Sequence, residues 1–125
     1  MNELRRTILI AAAGLAGVFL GASFFRLSPV RAQGAREFTI KANQFAFAPV
    51  RIEVQKDDLV QIRFTAKDVA HSFTVDVPYR ISKRAGAGQS IVFEFRADEA
   101  GRFPFYCNLT QDERCKQMKG ELVVR

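Results

Sequence analysis

The apolar residues of this chain alternate with polar ones at a period of two from residue 38 to the end. Successive side chains of a β-strand point to opposite faces, so this period indicates strands with one apolar face each. The alternating runs are Phe38 and Ile40, Ile52 and Val54, Val60 to Phe64, Phe73 and Val75, Ile91 to Phe95, Phe103 and Phe105, and Leu122 and Val124. About seven short strands separated by turn residues predict an all-β fold, an antiparallel sandwich of two sheets.

Residues 1–32 have the pattern of an export leader. Arg5 and Arg6 precede an uncharged stretch, residues 7–25, and the small-residue site Val30-Arg31-Ala32 follows. The pattern predicts a signal peptide that is cleaved after Ala32. The apolar run at residues 8–25 is also long enough to be retained as a membrane anchor, which is the alternative. Both interpretations place the remaining domain, residues 33–125, in the periplasm or elsewhere outside the cytoplasm.

The formal charge of +6 does not indicate a nucleic-acid partner. Four of the nineteen basic residues lie in the leader, together with a single acidic residue. The domain that follows therefore carries fifteen basic and twelve acidic residues, and these are spread along the chain without blocks. Such a distribution is typical of an ordinary solvated surface.

Three residues with metal-binding side chains are predicted to meet at one end of the sandwich. His71 shares a strand face with Phe73, so its ring should point towards the core. Cys107 shares a face with Phe105 and stands where that strand ends. Met118 lies just ahead of the final strand. The strands alone can bring these three side chains together.

The segments FTIKANQFAFAPVRIEV, AHSFTVDVP, GRFPFYC and MKGELVV resemble those of cupredoxins, and the resemblance covers residues 36–125. It implies a Greek-key β-sandwich that holds copper at one pole with two His, a Cys and a Met. The loop spacing is most similar to the copper-binding domain of cytochrome c oxidase subunit II. On that frame Cys107 and Met118 keep their residue types, whereas Gln111 stands in place of a second Cys and Cys115 in place of a His.

These departures from the frame predict one copper ion per chain, held by His71, Cys107, Cys115 and Met118. Gln111 cannot bridge two metal ions as a thiolate does, and the chain has no second histidine. One imidazole with sulfur donors suits copper, especially Cu(I), better than it suits magnesium, calcium or manganese. A thioether is a poor ligand for zinc, which also favours copper.

Three functions remain open on the sequence alone. The first is a mononuclear copper electron carrier whose partner is a redox protein or a respiratory terminal oxidase. The second is a protein that holds Cu(I) and delivers it for oxidase assembly. The third is a metal-free binding module, because two cysteines eight residues apart in an exported protein also predict a Cys107–Cys115 disulfide. The sequence contains no recognisable catalytic motif, so we expect no enzyme activity of its own.

Overall fold

The structure is a computed structural model that describes Gly21 and residues 34–125. Apart from Gly21, the predicted leader or anchor at residues 1–32 lies outside the described residues. Within the described part of the chain, no helix is long and apolar enough to cross a membrane. Nine strands are present there: β1 (Arg36–Asn43), β2 (Ala46–Ala48), β3 (Arg51–Val54), β4 (Leu59–Ala66), β5 (His71–Val75), β6 (Ile81–Ala85), β7 (Ser90–Arg96), β8 (Gly101–Tyr106) and β9 (Lys119–Val124).

The strands form two sheets, which confirms the predicted all-β sandwich. One sheet has four strands in the order β2-β1-β4-β7, and the other has five in the order β3-β9-β8-β5-β6. Two neighbouring pairs are parallel, β1 with β4 and β3 with β9, so the sheets are mixed and not purely antiparallel as predicted. The chain changes sheets five times, after β2, β3, β4, β6 and β7, and strands that follow each other in sequence are therefore often not neighbours in space.

Each predicted run lies in a strand, and the structure adds β2 and β6. β2 has only three residues and buries a single side chain, Phe47. β6 is buried only at its two ends, Ile81 and Ala85, while the three residues between them are exposed. Neither strand carries an alternating pattern long enough to be recognised in the sequence.

Aromatic side chains from both sheets fill the core. Phe64, Phe73 and Phe105 are fully buried. The ring centroids of Phe73 and Phe105 lie 4.8 Å apart, and those of Phe64 and Phe73 lie 6.0 Å apart across the two sheets. Burial of each such side chain contributes about 1.5–3 kcal/mol. The core therefore supplies the scaffold on which β5 and β8 are fixed.

Gly120 allows β9 to lie directly against this core. It pairs with Phe105 across the β8–β9 ladder, and a Cβ atom at this position would fall on the Phe105 ring and lie 2.8 Å from the Val50 carbonyl oxygen. We expect Gly120→Ala to lower the free energy of unfolding by about 1–3 kcal/mol, the usual cost of overpacking a core. Urea denaturation followed by circular dichroism measures this loss.

Gly34→Ala is the matched control, because a Cβ atom there would have no neighbour within 4 Å. The control should unfold at the urea concentration of the wild type. Equal midpoints for Gly120→Ala and the wild type would show that Phe105 does not pack on this glycine.

Candidate metal centre

The candidate ligands meet at one end of the five-stranded sheet. Tyr106 of β8 pairs with Thr74 of β5 on one side and with Lys119 of β9 on the other. Phe73, Cys107 and Met118 each lie one residue beyond these paired positions, at the same end of the sheet. His71 lies two residues before Phe73 and therefore on the same inward face. The structure thus brings His71, Cys107 and Met118 to the same end of the sandwich.

All four predicted ligands are buried. The exposed fraction is 0% for His71, 3% for Cys107, 2% for Cys115 and 1% for Met118. Cys115 lies in the 3₁₀ helix Glu113–Gln117, which connects the end of β8 to the start of β9. Met118 caps the carboxyl end of this helix, and its N–H donates to the Cys115 carbonyl at 3.1 Å.

Cys107 and Cys115 form a disulfide, with their Cα atoms 5.4 Å apart. The sequence left open whether these two residues are ligands or a crosslink, and the structure shows the crosslinked form. Both sulfur atoms are bonded to each other and neither is a thiolate. In this form, the described residues contain no group of three or more His, Cys, Asp or Glu side chains that could hold a metal ion.

One ring nitrogen of His71 has a hydrogen-bond partner and the other has none. Its Nε2 lies 2.7 Å from Oδ1 of Asp68. Its Nδ1 is buried and has no hydrogen-bond partner, and no other buried side-chain nitrogen or oxygen of the described residues is in this state. An unsatisfied buried polar atom costs about 1–3 kcal/mol, so it requires a physical explanation. If the disulfide were reduced, this nitrogen, two thiolates and the Met118 thioether would together form a donor set that suits a soft metal ion.

Asp68, which the sequence analysis did not identify, holds the outer side of the His71 ring. Its Oδ2 also accepts a hydrogen bond from the Gln44 N–H at 2.9 Å. Desolvation raises the pKa of Asp68, but the N–H groups of Val69 and Gln44 and the His71 ring outweigh it and lower this pKa to about 2. The carboxylate is therefore ionised at neutral pH.

The turn between β1 and β2 covers the histidine. The Phe45 ring contacts the His71 ring edge-on, with centroids 5.5 Å apart. The Arg114 guanidinium lies 4.1 Å from the centroid of Phe45 and is paired with Asp112 at 2.7 Å. Gln44 and Phe45 have φ values of +50° and +60°, a conformation that is unusual for residues of this size. Phe45 in this turn thus lies between the His71 ring and the Arg114 guanidinium.

A pocket of about 210 Å³ opens beside the disulfide. Its lining includes Phe45, Val69, Leu109, Gln111 and Cys115. Gln111, which occupies the position of a second Cys in the resemblance, thus lines a surface pocket. The pocket therefore borders Cys115, whose side chain is itself buried.

The sequence of residues 16–124 matches the cupredoxin-like domain family. This match covers more than half of the chain and agrees with the predicted resemblance. No curated protein matches the chain at a significant level.

Solved structures show the same fold at low sequence identity. Auracyanin A, a "blue" copper protein from Chloroflexus aurantiacus, is 19% identical with a TM-score of 0.64, over 74% of this chain and 100% of auracyanin. A chain of a heme-copper terminal oxidase dimer is 18% identical with a TM-score of 0.63, over 98% of this chain and 90% of the other. The metal-binding domain of the Cu(I)-exporting P-type ATPase CopA of Streptococcus pneumoniae is 24% identical with a TM-score of 0.55, over 74% and 88% respectively.

The disulfide should stabilise the domain. Loss of a crosslink in Cys115→Ser is expected to lower the free energy of unfolding by about 2–4 kcal/mol, mainly because the unfolded chain gains freedom. Urea denaturation of the oxidised wild type, the reduced wild type and the variant measures this effect. The reduced wild type serves as the control, and it should unfold with the variant. Coincident curves for the oxidised and reduced wild type would contradict the prediction.

Asp68 should make the free energy of unfolding depend on pH in the acidic range. Its pKa in the folded chain is about 2, below the ordinary value of 3.8, so it favours the folded state above about pH 4. This contribution is lost as the pH falls from about 4 towards 2. We expect Asp68→Asn to flatten the pH dependence of the unfolding free energy in this range. Identical pH profiles for the variant and the wild type would contradict the assignment.

Proposed function

Because this chain belongs to the cupredoxin-like domain family, we propose that it binds one copper ion at the end where His71 lies and acts in electron transfer. The observation that carries the proposal is the buried Nδ1 of His71, which has no partner within the protein. It lies at the same end as Cys107 and Met118, and no protein group uses its capacity to bind. A role as a copper ligand explains why a buried ring nitrogen is left without a hydrogen-bond partner, which is otherwise costly.

The proposed donors are His71, Cys107, Cys115 and Met118. The imidazole and the sulfur atoms are borderline to soft ligands, which suit copper. A bound copper supplies a one-electron couple. The protein contributes the apolar core beside the site, in which Phe73 and Phe105 are fully buried, and such a low-polarity surrounding would tune the potential of a metal held there.

The disulfide and the copper site are alternative states of the same two sulfur atoms. Cys107 and Cys115 can bind as thiolates only after the S–S bond is cleaved. An external dithiol supplies the two electrons and two protons, and its own sulfur atoms become a disulfide. The pocket that borders Cys115 is the side from which we expect a small dithiol to reach this bond. The disulfide of the described structure therefore corresponds to the oxidised state of these two cysteines.

The proposal includes a place and a partner. Residues 1–32 act as a cleaved signal or a retained anchor, and residues 33–125 form the cupredoxin domain outside the cytoplasm. The electron partner is a redox protein or a terminal oxidase, which is supported by the similarity to a chain of a heme-copper terminal oxidase. The chain carries electrons and does not transform a substrate of its own.

A second candidate function, holding and delivering Cu(I), is favoured by the paired cysteines. Two sulfur atoms that can form a disulfide release a metal ion when they are oxidised, and the single imidazole gives little support to Cu(II). One structural neighbour is a metal-binding domain solved with Cu(I). The third candidate, a metal-free module, is favoured by the disulfide itself.

We predict that the full chain binds one copper ion after reduction and none before it. Reduced protein, freed from the reductant without air, is mixed with Cu(I) or Cu(II), and copper content and the visible spectrum are recorded. Cys107→Ser should keep the fold and lose the thiolate-to-copper absorption. Met118→Leu is the matched control, because it removes the thioether and keeps both thiols. This variant should keep the copper and shift its reduction potential.

The three candidate functions differ in how copper binding responds to oxidation and reduction of the protein. An electron carrier retains copper through repeated oxidation and reduction. A Cu(I)-holding protein takes up Cu(I) and loses it on oxidation, when its two thiols re-form the disulfide. A reduced chain with two free thiols that binds neither ion would leave the metal-free module as the function.

A further inference from the structure

We infer that Asp68 is a positioning residue that fixes the tautomer and orientation of His71, so that the ring presents a free Nδ1 lone pair to the interior before any metal arrives. This inference rests on the proposed function, since it assigns a role towards copper. It concerns a residue that does not contact the metal and that the sequence did not reveal.

The first step is the hydrogen bond between His71 and Asp68. Their atoms Nε2 and Oδ1 are 2.7 Å apart. An ionised carboxylate has no proton to donate, so Nε2 must carry the hydrogen and donate it. In the neutral imidazole the other nitrogen, Nδ1, is then unprotonated. The carboxylate thus selects the tautomer in which the buried nitrogen is a ligand.

The second step is that Asp68 is itself immobilised. Its Oδ2 accepts the Gln44 N–H at 2.9 Å. Gln44 belongs to the turn between β1 and β2, in which Gln44 and Phe45 both have positive φ values. The carboxylate therefore cannot rotate away from the ring without losing this backbone hydrogen bond.

The third step is the cover over the ring. Phe45 packs edge-on against His71 and lies beneath the Arg114 guanidinium. This layer blocks rotation of the ring towards solvent, while Asp68 blocks exchange of the two nitrogens. Because the ligand is already in its binding orientation, metal binding requires no reorganisation of His71.

The test is Asp68→Asn, read by ¹⁵N NMR of the histidine ring in the metal-free, oxidised full chain. His71 is the only histidine of the chain, so its ring signals are unambiguous. At a pH at which the ring is neutral, Nδ1 of the wild type should be unprotonated and Nε2 protonated. In the variant, the oxygen of the introduced amide should remain on the Gln44 N–H and its NH₂ group should face Nε2. The ring proton should therefore move to Nδ1.

Asp58→Asn is the matched control. Asp58 also accepts a backbone N–H, that of Gln55 at 2.8 Å, but it lies at the opposite end of β4. This variant should keep the wild-type tautomer. A protonated Nδ1 in the neutral wild-type ring would overturn the inference even if Asp68→Asn does not fold. An unchanged tautomer in a folded Asp68→Asn would also overturn it.

Copper binding gives the second readout. In the reduced chain, Asp68→Asn should lower copper affinity by about 10- to 100-fold, the usual effect of removing a hydrogen bond to a metal-binding histidine. Asp58→Asn should not. If the reduced wild type binds no copper, the proposed function fails and the role of Asp68 towards the metal fails with it. If copper binds equally well to Asp68→Asn, the positioning role alone is wrong.

Discussion

The pairing between β5 and β8 determines whether His71 and Cys107 face the same side of the sheet, which the proposed metal site requires. Thr74 pairs with Tyr106 and Val75 with Phe105. A slip of one residue would turn Cys107 to the opposite face of the sheet from His71, because side chains alternate along a strand. The contact between Phe73 and Phe105, with ring centroids 4.8 Å apart, opposes such a slip. The aromatic core thus fixes the register on which the site depends.

The sequence predicted the strands and the inward residues well, because both follow from the same local period. His71 and Cys107 could be placed on the core side from their neighbours two residues away. β6 was not predicted, because its exposed Ser82, Lys83 and Arg84 interrupt any alternation. The parallel pairings were not predicted either, since they depend on where the chain changes sheets.

The contacts around the candidate site could not be predicted from the sequence, because they depend on loop conformations. The bond from His71 to Asp68 depends on the conformation of a loop, and composition does not specify that conformation. The turn that holds Asp68 has Gln44 and Phe45 at its centre and not the Asn and Gly typical of such turns. Cys107 and Cys115 could be named as a possible pair, but the path of the loop decides whether their Cα atoms come within reach.

β6 has a consequence for how the domain behaves at high concentration. It is the outermost strand of the five-stranded sheet, next to the strand that carries His71. An outer strand with free backbone groups invites a strand from another molecule, and positive charges are a common protection against this. Lys83 and Arg84 stand in the middle of β6 and are exposed. Two molecules that approach through this edge repel each other, which disfavours sheet-to-sheet aggregation next to the histidine.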